Sequence, residues 1–268
     1  MDKKIQKNNI VIPKKRLGQN FLSEIGVIQK LVAATAIQPG ETILEIGPGT
    51  GNLTAELLKT GNPLLAIEKD REMVAILKEK FKDSKNFQLA EGDALAFDET
   101  KIAAPYKIAA NLPFYMAAPL IRKFLESANL PDSLTVIVQK EVAQRICAQP
   151  PKMNLLANSV QFYAQPKIIS YISKGCFWPA PKVDCAILHL APLSREGERY
   201  NKTAVEKFFQ TMKAGFSQPR KQLANNLTKE LKLDKEKTNC WLLANNINPR
   251  QRPETLSIEN WISLANSL

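Results

Sequence analysis

The sequence predicts an α/β fold, in which a mostly parallel sheet covered by helices is followed by a small all-α domain. Short apolar runs alternate with helix-like segments between residues 42 and 148, which is the pattern of βαβ units with right-handed crossovers. A glycine-rich turn follows the first apolar run, and from residue 202 onward the apolar spacing is helical. The chain has 268 residues, 44% of them hydrophobic and 24% charged, so it can bury a sizeable core.

Each element has its own signal in the sequence. Helical spacing behind Ser23, a candidate N-cap, predicts a first helix over 23–36, which Pro39-Gly40 ends. Apolar runs predict strands over 42–46, 64–67, 87–90, 107–110 and 134–139. The segments between and after these strands predict helices over 52–59, 71–81, 116–127 and 141–148. Two further strands, joined by a Pro-rich loop, predict that the sheet ends in an antiparallel pair, 159–164 and 183–190. The last predicted helices are 202–215, 220–231, 235–245 and 257–266.

These elements divide the chain into a basic arm over 1–22, a sheet domain over 23–192 and a helical domain over 193–268. The formal net charge of +11 favours a polyanionic partner, because Lys and Arg contacts to phosphates supply most non-specific nucleic-acid affinity. A solvated basic surface without a partner is the alternative. Clustering of the charge favours the first interpretation. The two basic stretches contain Lys3, Lys4, Lys7, Lys14, Lys15 and Arg16 in the arm, and Lys213, Arg220, Lys221, Arg250 and Arg252 near the C-terminus.

Residue usage excludes several function classes. With His189 as its one histidine, the chain cannot carry a histidine-rich zinc site and is a poor candidate for Ser-His-Asp hydrolysis. The cysteines follow no C-x-x-C or metal-ligand spacing, so we expect reduced thiols and no metal site, at Cys147, Cys176, Cys185 and Cys240. The basic N-terminus is followed by no apolar run, and no stretch reaches membrane-spanning length. We therefore expect a cytoplasmic protein without membrane contact.

Three consecutive predicted strand ends carry residues suited to one nucleoside-like ligand. The turn over 45–51 has glycines at Gly47, Gly49 and Gly51, where backbone can turn sharply and approach a ligand closely. Its spacing is not the G-x-G-x-x-G of dinucleotide sites, and a turn without a ligand is the alternative. Glu68 ends the second strand, the position from which an acid binds ribose hydroxyls, although a solvated loop carboxylate would look the same. Asp93 follows the third strand and could accept a hydrogen bond from an exocyclic amine.

The tetrapeptide Asn111-Leu112-Pro113-Phe114 closes the fourth apolar run, where parallel sheets bind ligands. An amide beside an aromatic ring can hold a flat base that carries an exocyclic amine. Pro113 lacks an N–H group and fixes φ, so the loop presents its carbonyl groups rigidly. The Asn111 side-chain oxygen and the Leu112 carbonyl can accept hydrogen bonds from such an amine, and the rings of Phe114 and Phe177 can stack on such a base. A core position is the alternative for Phe177.

Taken together, these motifs resemble the KsgA family, which belongs to the class I S-adenosylmethionine-dependent methyltransferases with a Rossmann-like sheet. The resemblance spans roughly residues 10–256 in register. It rests on the stretches KRLGQNFL at 15–22, EIGPGTG at 45–51, GDA at 92–94, NLPF at 111–114, VQKEVA at 138–143, FWPAPKVD at 177–184 and PRKQLANNL at 219–227. Members of this family dimethylate two adjacent adenosines near the 3′ end of small-subunit ribosomal RNA, the 16S RNA of the 30S subunit. The resemblance therefore implies this activity, a role in 30S biogenesis, S-adenosylmethionine as cofactor and a monomeric state.

The resemblance also implies roles for individual residues. Those expected at the cofactor are Asn20, Leu22, Gly47, Gly49, Glu68, Asp93 and Asn111. Those expected in catalysis are Asn111, Leu112, Phe114 and Phe177. Those expected to contact RNA phosphates are Lys14, Lys15 and Arg16 in the arm, and Arg220, Lys221 and Arg252 in the helical domain, with Arg220 and Lys221 at the start of a helix.

The chain departs from the family pattern at a few positions. Phe114 stands where Tyr is common, which removes a hydroxyl group but retains the stacking face. Asn154 and Ala157 replace a usual Gly and Ser, Cys185 replaces Ser, and Pro219 replaces Arg. Two rival functions use the same scaffold. One is the Erm class, which methylates adenine in large-subunit (23S) ribosomal RNA, and the other is a non-catalytic RNA-binding assembly or transcription factor.

Overall fold

The computed structural model of this chain describes residues 13–14, 18–194 and 200–268. The strands in these ranges are β1 (Phe21–Leu22), β2 (Thr42–Ile46), β3 (Leu64–Glu68), β4 (Phe87–Glu91), β5 (Tyr106–Asn111), β6 (Ser133–Gln139), β7 (Ala164–Ile172), β8 (Phe177–Trp178) and β9 (Cys185–Pro192). The helices are α1 (Ile25–Thr35), α2 (Asn52–Leu58), α3 (Arg71–Lys80), α4 (Ala117–Glu126), α5 (Lys140–Ile146), α6 (Leu155–Gln161), α7 (Lys202–Gly215), α8 (Leu223–Leu231), α9 (Lys235–Ala244) and α10 (Ile258–Asn266).

Seven of the strands form one sheet in the order β4-β3-β2-β5-β6-β9-β7. Neighbours from β4 to β6 pair in parallel, whereas β9 pairs antiparallel with both β6 and β7. The prediction of an α/β sheet that ends in an antiparallel pair is confirmed. Strand order reverses between β2 and β5, and the crevice outside the carboxyl ends of two such strands is where open α/β sheets bind ligands. The sheet's central strands are buried on both faces, as β6 is over Ser133–Val138.

The prediction of a strand over 159–164 is wrong. Residues 159–161 are the end of α6, and Ala164 already belongs to β7. The helix begins behind Asn154, whose side chain accepts a hydrogen bond from the backbone N–H of Ala157 at 3.0 Å. Asn154 therefore has a defined role as an N-cap. The strand lies further along, in β7, where exposure alternates as expected for a strand at the sheet edge, and Pro166 is tolerated there. A short apolar run does not distinguish a buried helix from a strand.

The C-terminal helices pack onto the sheet layer through aromatic side chains. Phe162, at the end of α6, stacks on Phe208 of α7 with ring centroids 4.1 Å apart. The buried side chains of both regions belong to one hydrophobic cluster that continues to Trp261 of α10. The division of the chain at residues 22 and 192 stays a prediction. In the described ranges, no helix is long and apolar enough to cross a bilayer.

Candidate active site

A cavity opens at the carboxyl ends of β2, β3 and β5. Most of its wall comes from the segments 18–22, 45–50, 67–69, 92–94 and 111–116, and residues 52, 53 and 120 complete it. The structure thus brings together all seven residues expected at the cofactor, and Leu112 and Phe114 with them. Parallel strands present their carboxyl ends at one edge of a sheet, which explains why residues distant in sequence meet here.

The glycine-rich turn forms the floor of this cavity. Gly47, Gly49 and Gly51 adopt φ values of 68°, 57° and 77°, a region that residues with a Cβ rarely enter. A Cβ on Gly49 would also lie 2.8 Å from Cε1 of Phe21. Lys80 of α3 donates to the carbonyl oxygen of Thr50 at 2.9 Å. The turn is therefore held from both sides, with its backbone open to a close-lying ligand.

Glu68 connects the turn to the next strand end. Its Oε2 accepts the N–H of Gly49 at 3.0 Å, and its Oε1 accepts the N–H of Asp70 at 2.8 Å. The residue is 7% exposed, and this burial raises the pKa of its carboxyl group, against the lowering effect of the backbone N–H donors. Each carboxylate oxygen has a second lone pair, so Glu68 can still accept from a ligand hydroxyl group.

Asp93 also lines the cavity, in a more open position than Glu68. Its Oδ2 accepts from Nζ of Lys69 at 2.8 Å, and its Oδ1 accepts from the N–H of Leu95 at 2.9 Å. The Lys69 hydrogen bond first, and the Leu95 N–H second, hold the pKa of Asp93 below its usual range. An ionised acceptor is thus placed where an exocyclic amine could approach.

Glu45 contributes a feature that the sequence analysis did not assign. It is 1% exposed at the end of β2, and its Oε2 accepts from Oγ1 of Thr54 at 2.7 Å. Burial raises the pKa of Glu45 to about 8. The carboxyl group is therefore mostly protonated at neutral pH and leaves the cavity floor less negative than its sequence indicates.

Asn111 has the most informative hydrogen bonding in the site. Its Nδ2 donates to the carbonyl oxygen of Asn20 at 2.9 Å, which fixes the amide orientation because a carbonyl group only accepts. Its Oδ1 is buried without a hydrogen-bond partner. Buried polar atoms are rarely left unpaired, and such an atom calls for an explanation. An N–H donor on a bound ligand would satisfy it.

A buried carboxylate ties the N-terminal segment over this cavity. Asp70 accepts from Nε2 of Gln19 at 2.8 Å and from Nζ of Lys14 at 2.7 Å. The Lys14 ammonium also lies 3.0 Å from Glu72. Sequence reasoning placed Lys14 on RNA phosphate and missed Gln19 and Asp70. In the structure Lys14 has two carboxylate partners, and its contact with RNA phosphate stays a prediction.

The other expected phosphate contacts differ in their surroundings. Lys15 and Arg16 lie outside the described residues. Arg220 and Lys221 are exposed in the turn before α8, which begins at Leu223, so their predicted place inside a helix start is wrong. Arg252 is exposed with Nη1 3.9 Å from Glu254. The RNA-binding role of these side chains stays a prediction.

The two expected stacking rings differ in their access to the cavity. Phe114 lines the cavity, but Phe177 is 4% exposed, pairs with Leu22 across the β1–β8 ribbon and packs in the core. Phe114 packs against the same core cluster, and the stacking role of Phe177 stays a prediction. Its neighbour Trp178 is 53% exposed and stacks on Phe21, with ring centroids 6.4 Å apart. Successive side chains of a strand point to opposite faces, so one ring of β8 is buried and the next is exposed. Predicting a strand at 177–178 would have indicated that the two rings differ in burial.

The cysteines were expected to be reduced thiols, and no metal site was expected. All four cysteines are free thiols. Cys185 is buried, and its burial raises the pKa of the thiol to about 12, so it is unreactive. Within the described ranges, no group of three or more His, Cys, Asp or Glu side chains could hold a metal ion.

The chain is similar over nearly its full length to ribosomal RNA methyltransferases. The sequence model of the family described as ribosomal RNA adenine dimethylase matches residues 12–268. The chain is 40% identical over 255 residues to the ribosomal RNA small subunit methyltransferase A of Dehalococcoides mccartyi strain CBDB1, covering 94% of this chain and 87% of that relative. It is 38% identical over 259 residues to the protein of the same name from Clostridium botulinum strain Loch Maree, covering 95% and 93%.

Solved structures share the fold. The dimethyladenosine transferase from Plasmodium falciparum superimposes with a TM-score of 0.75 at 24% identity, covering 91% of this chain and 95% of that one. The 23S rRNA methyltransferase ErmE gives a TM-score of 0.74 at 21% identity, covering 93% and 99%. These likenesses confirm the predicted Rossmann-like class I methyltransferase fold.

Proposed function

The chain belongs to the ribosomal RNA adenine dimethylase family, and we propose that it methylates N6 of two adjacent adenosines near the 3′ end of small-subunit ribosomal RNA, giving N6-dimethyladenosine. Its methyl donor is S-adenosylmethionine. The relatives that are 36% to 40% identical carry the name ribosomal RNA small subunit methyltransferase A. The substrate is the 16S RNA within the 30S subunit or its precursor. The protein acts as a monomer in the cytoplasm.

The residues around the cavity fit this cofactor. The turn at Gly47 and Gly49 admits a ligand close to the backbone, Glu68 can accept from ribose hydroxyl groups, and Asp93 can accept from the adenine amine. Asn20 and Leu22 close the cavity from the N-terminal segment. When bound, S-adenosylmethionine supplies a methyl group already activated by its sulfonium.

The observation that carries the proposal is the buried, unpaired Oδ1 of Asn111. This oxygen accepts one N6 proton of the substrate adenine, and the Leu112 carbonyl accepts the other. The two hydrogen bonds direct the nitrogen lone pair toward the methyl donor, so the chain contributes mainly position and polarisation. Phe114 supplies a stacking face for the extruded base. No strong side-chain base is needed, because the methylated amine loses its proton readily.

Two alternatives use the same fold. The fold does not distinguish an Erm-type enzyme acting on 23S ribosomal RNA from the proposed function. The dimethyladenosine transferase and ErmE superimpose on this chain with similar TM-scores, 0.75 and 0.74. Sequence favours the small subunit, through the relatives described above and through the stretches at 219–227 and 252–256, which Erm sequences lack. A non-catalytic RNA-binding factor would not require an unpaired amide oxygen beside Glu68 and Asp93.

One methylation assay tests the reaction and the substrate. The purified protein is incubated with labelled S-adenosylmethionine and under-methylated small subunits, large subunits or naked RNA, and the nucleosides are analysed by mass spectrometry. Dimethyladenosine from small subunits is the expected product. Dimethyladenosine from large-subunit RNA alone would support the Erm alternative, and no product from any substrate would support the non-catalytic factor.

A variant tests the role of the amide. Asn111→Ala removes the unpaired Oδ1 and should abolish transfer while leaving S-adenosylhomocysteine affinity measurable by calorimetry. Full activity of this variant would refute the polarisation role.

A second variant tests the basic turn before α8. Arg220→Glu combined with Lys221→Glu should weaken subunit binding and flatten its dependence on salt, because fewer counterions are released. An unchanged salt slope would refute that contact.

A further inference from the structure

Exposed aromatic rings are confined to one place on this molecule. Among the described residues, three aromatic side chains are exposed: Tyr115 at 56%, Tyr171 at 55% and Trp178 at 53%. Large rings are normally buried, and an exposed group of them marks a surface that contacts something else.

All three rings lie toward the carboxyl edge of the sheet; Tyr115 and Trp178 are beside the cavity, and Tyr171 is on β7, three strands away from β5. Tyr115 follows β5 and is itself part of the cavity wall. Trp178 pairs with Phe21, which lines the cavity, and because one face of the indole lies against Phe21, its exposure belongs to the other face. Tyr171, near the end of β7, pairs with Ala186 of β9, which in turn pairs with Val138 at the carboxyl end of β6.

Cations accompany these rings. Nζ of Lys140 lies 5.1 Å from the ring centroid of Tyr171, within the range of a cation–π contact. Lys174 and Lys182 are exposed in the segment that joins β7 to β9. Aromatic faces interleaved with basic side chains are the surface that single-stranded nucleic acid requires, since bases stack on the rings and phosphates meet the cations.

We propose that Tyr115, Trp178 and Tyr171 with Lys140 form an aromatic track that binds the single-stranded RNA flanking the adenosine in the cavity. Trp178 takes the base next to the target nucleotide, because its open face lies one ring away from the cavity wall. Tyr171 and Lys140 take the following nucleotide and its phosphate. This inference rests on the proposed function for the identity of the base in the cavity, whereas the track itself requires only single-stranded RNA.

Fluorescence tests the contact without any methyl transfer. Trp261 is fully buried and Trp241 is half-buried in α9, so quenching by RNA reports mainly on Trp178. A single-stranded 12-nucleotide RNA with two adjacent adenosines should quench the wild-type protein and should not quench Trp178→Phe. RNA binding without quenching would overturn the proposal.

Kinetics test the contribution of stacking. Trp178→Ala should raise the KM for under-methylated small subunits about 5- to 150-fold, the loss of one base stacked on an aromatic ring. Trp178→Phe should restore most of this loss, with kcat and the KM for S-adenosylmethionine within twofold of wild type. The matched control is Leu243→Ala, which removes an apolar side chain that is 61% exposed in α9 and should change nothing.

Three outcomes would contradict the track. An unchanged KM for subunits in Trp178→Ala would show that no base stacks on Trp178. An equal rise in the KM for S-adenosylmethionine would show that Trp178 acts only by supporting Phe21. A concentration-dependent dimer in sedimentation that Trp178→Ala abolishes would assign the rings to self-association. If quenching by the 12-mer persists while small subunits are not methylated, the track stands and the proposed function falls.

Salt dependence separates the cation from the rings. Lys140→Ala should lower the slope of log affinity against log salt for the 12-mer by about one, because one phosphate contact is lost. Trp178→Ala should weaken binding at every salt concentration with the slope unchanged. A changed slope in the Trp178 variant alone would overturn the division of roles.

Discussion

The closed position of residues 18–20 over the cofactor cavity should depend on the hydrogen bond between Gln19 and Asp70. Gln19→Ala removes the 2.8 Å bond from Nε2 to the Asp70 carboxylate, which is 4% exposed. A hydrogen bond to a charged partner contributes about 1.5–3 kcal/mol, so the closed conformation should be disfavoured by roughly 10- to 150-fold. Ligand affinity falls in proportion to the fraction of closed protein. We expect the Kd for S-adenosylhomocysteine, measured by calorimetry, to rise about tenfold.

A neighbouring residue supplies the control for this experiment. Glu72 also approaches Lys14, at 3.0 Å, but its side chain is 66% exposed, and surface ion pairs contribute little. Glu72→Gln should therefore leave the Kd within twofold of wild type, while Gln19→Ala should also lower kcat, because the adjacent Asn20 carbonyl orients Asn111. A Kd within twofold for Gln19→Ala would refute the reasoning and assign the closed position to the Asn52 contact with the Leu22 carbonyl.

Three further predictions concern the turn, the buried acid and the helical layer. Gly49→Ala forces a Cβ to φ 57° and within 2.8 Å of Phe21, so backbone strain of about 1–2 kcal/mol should reduce S-adenosylhomocysteine affinity about tenfold in the same calorimetry. The pKa of Glu45 is about 8 in the folded protein, against an ordinary value of 4.5. Its contribution to the free energy of unfolding is therefore full below pH 4.5 and is lost as the pH rises toward 8. Glu45→Gln should remove this decline in stability, measured by urea unfolding between pH 5 and 8. Gly215→Ala places a Cβ 2.2 Å from Cη2 of Trp261 and should cost about 1–3 kcal/mol in chemical unfolding, with S-adenosylhomocysteine affinity within twofold.

Sequence reasoning located most of the cavity because the carboxyl ends of parallel strands meet at one edge. Each strand end can be predicted from a local apolar run. The proximity of Gly47, Glu68, Asp93 and Asn111 could therefore be predicted without knowing which strands pair. Their individual hydrogen-bond partners could not be predicted. For example, Nζ of Lys69 lies 2.8 Å from Oδ2 of Asp93. This pairing depends on the relative orientation of the two loops that carry these residues.

Sequence reasoning could not foresee the arrangements in which a distant pairing decides which way a side chain points. Phe177 lies in the core and Trp178 on the surface because of the register in which β8 pairs with β1. A shift of that register by one residue would bury Trp178 and expose Phe177. Lys14 is held by Asp70, a contact across the fold that no local pattern specifies. Residues 159–161 belong to a helix that Asn154 caps, and the cap lies outside the short apolar run that predicted a strand.

Hydrogen bonds connect the cofactor side of the cavity to the substrate side through one short segment. Asp70 donates its N–H to Glu68 and accepts from Gln19, and the next residue, Asn20, accepts from the amide of Asn111. Because the Asn20 carbonyl holds the Asn111 amide, whose Oδ1 is buried without a partner, a shift of the segment at Asn20 should turn that oxygen. The proposed cofactor contact at Glu68 and the proposed amine contact at Asn111 therefore share one support, and each should strengthen when the other is made.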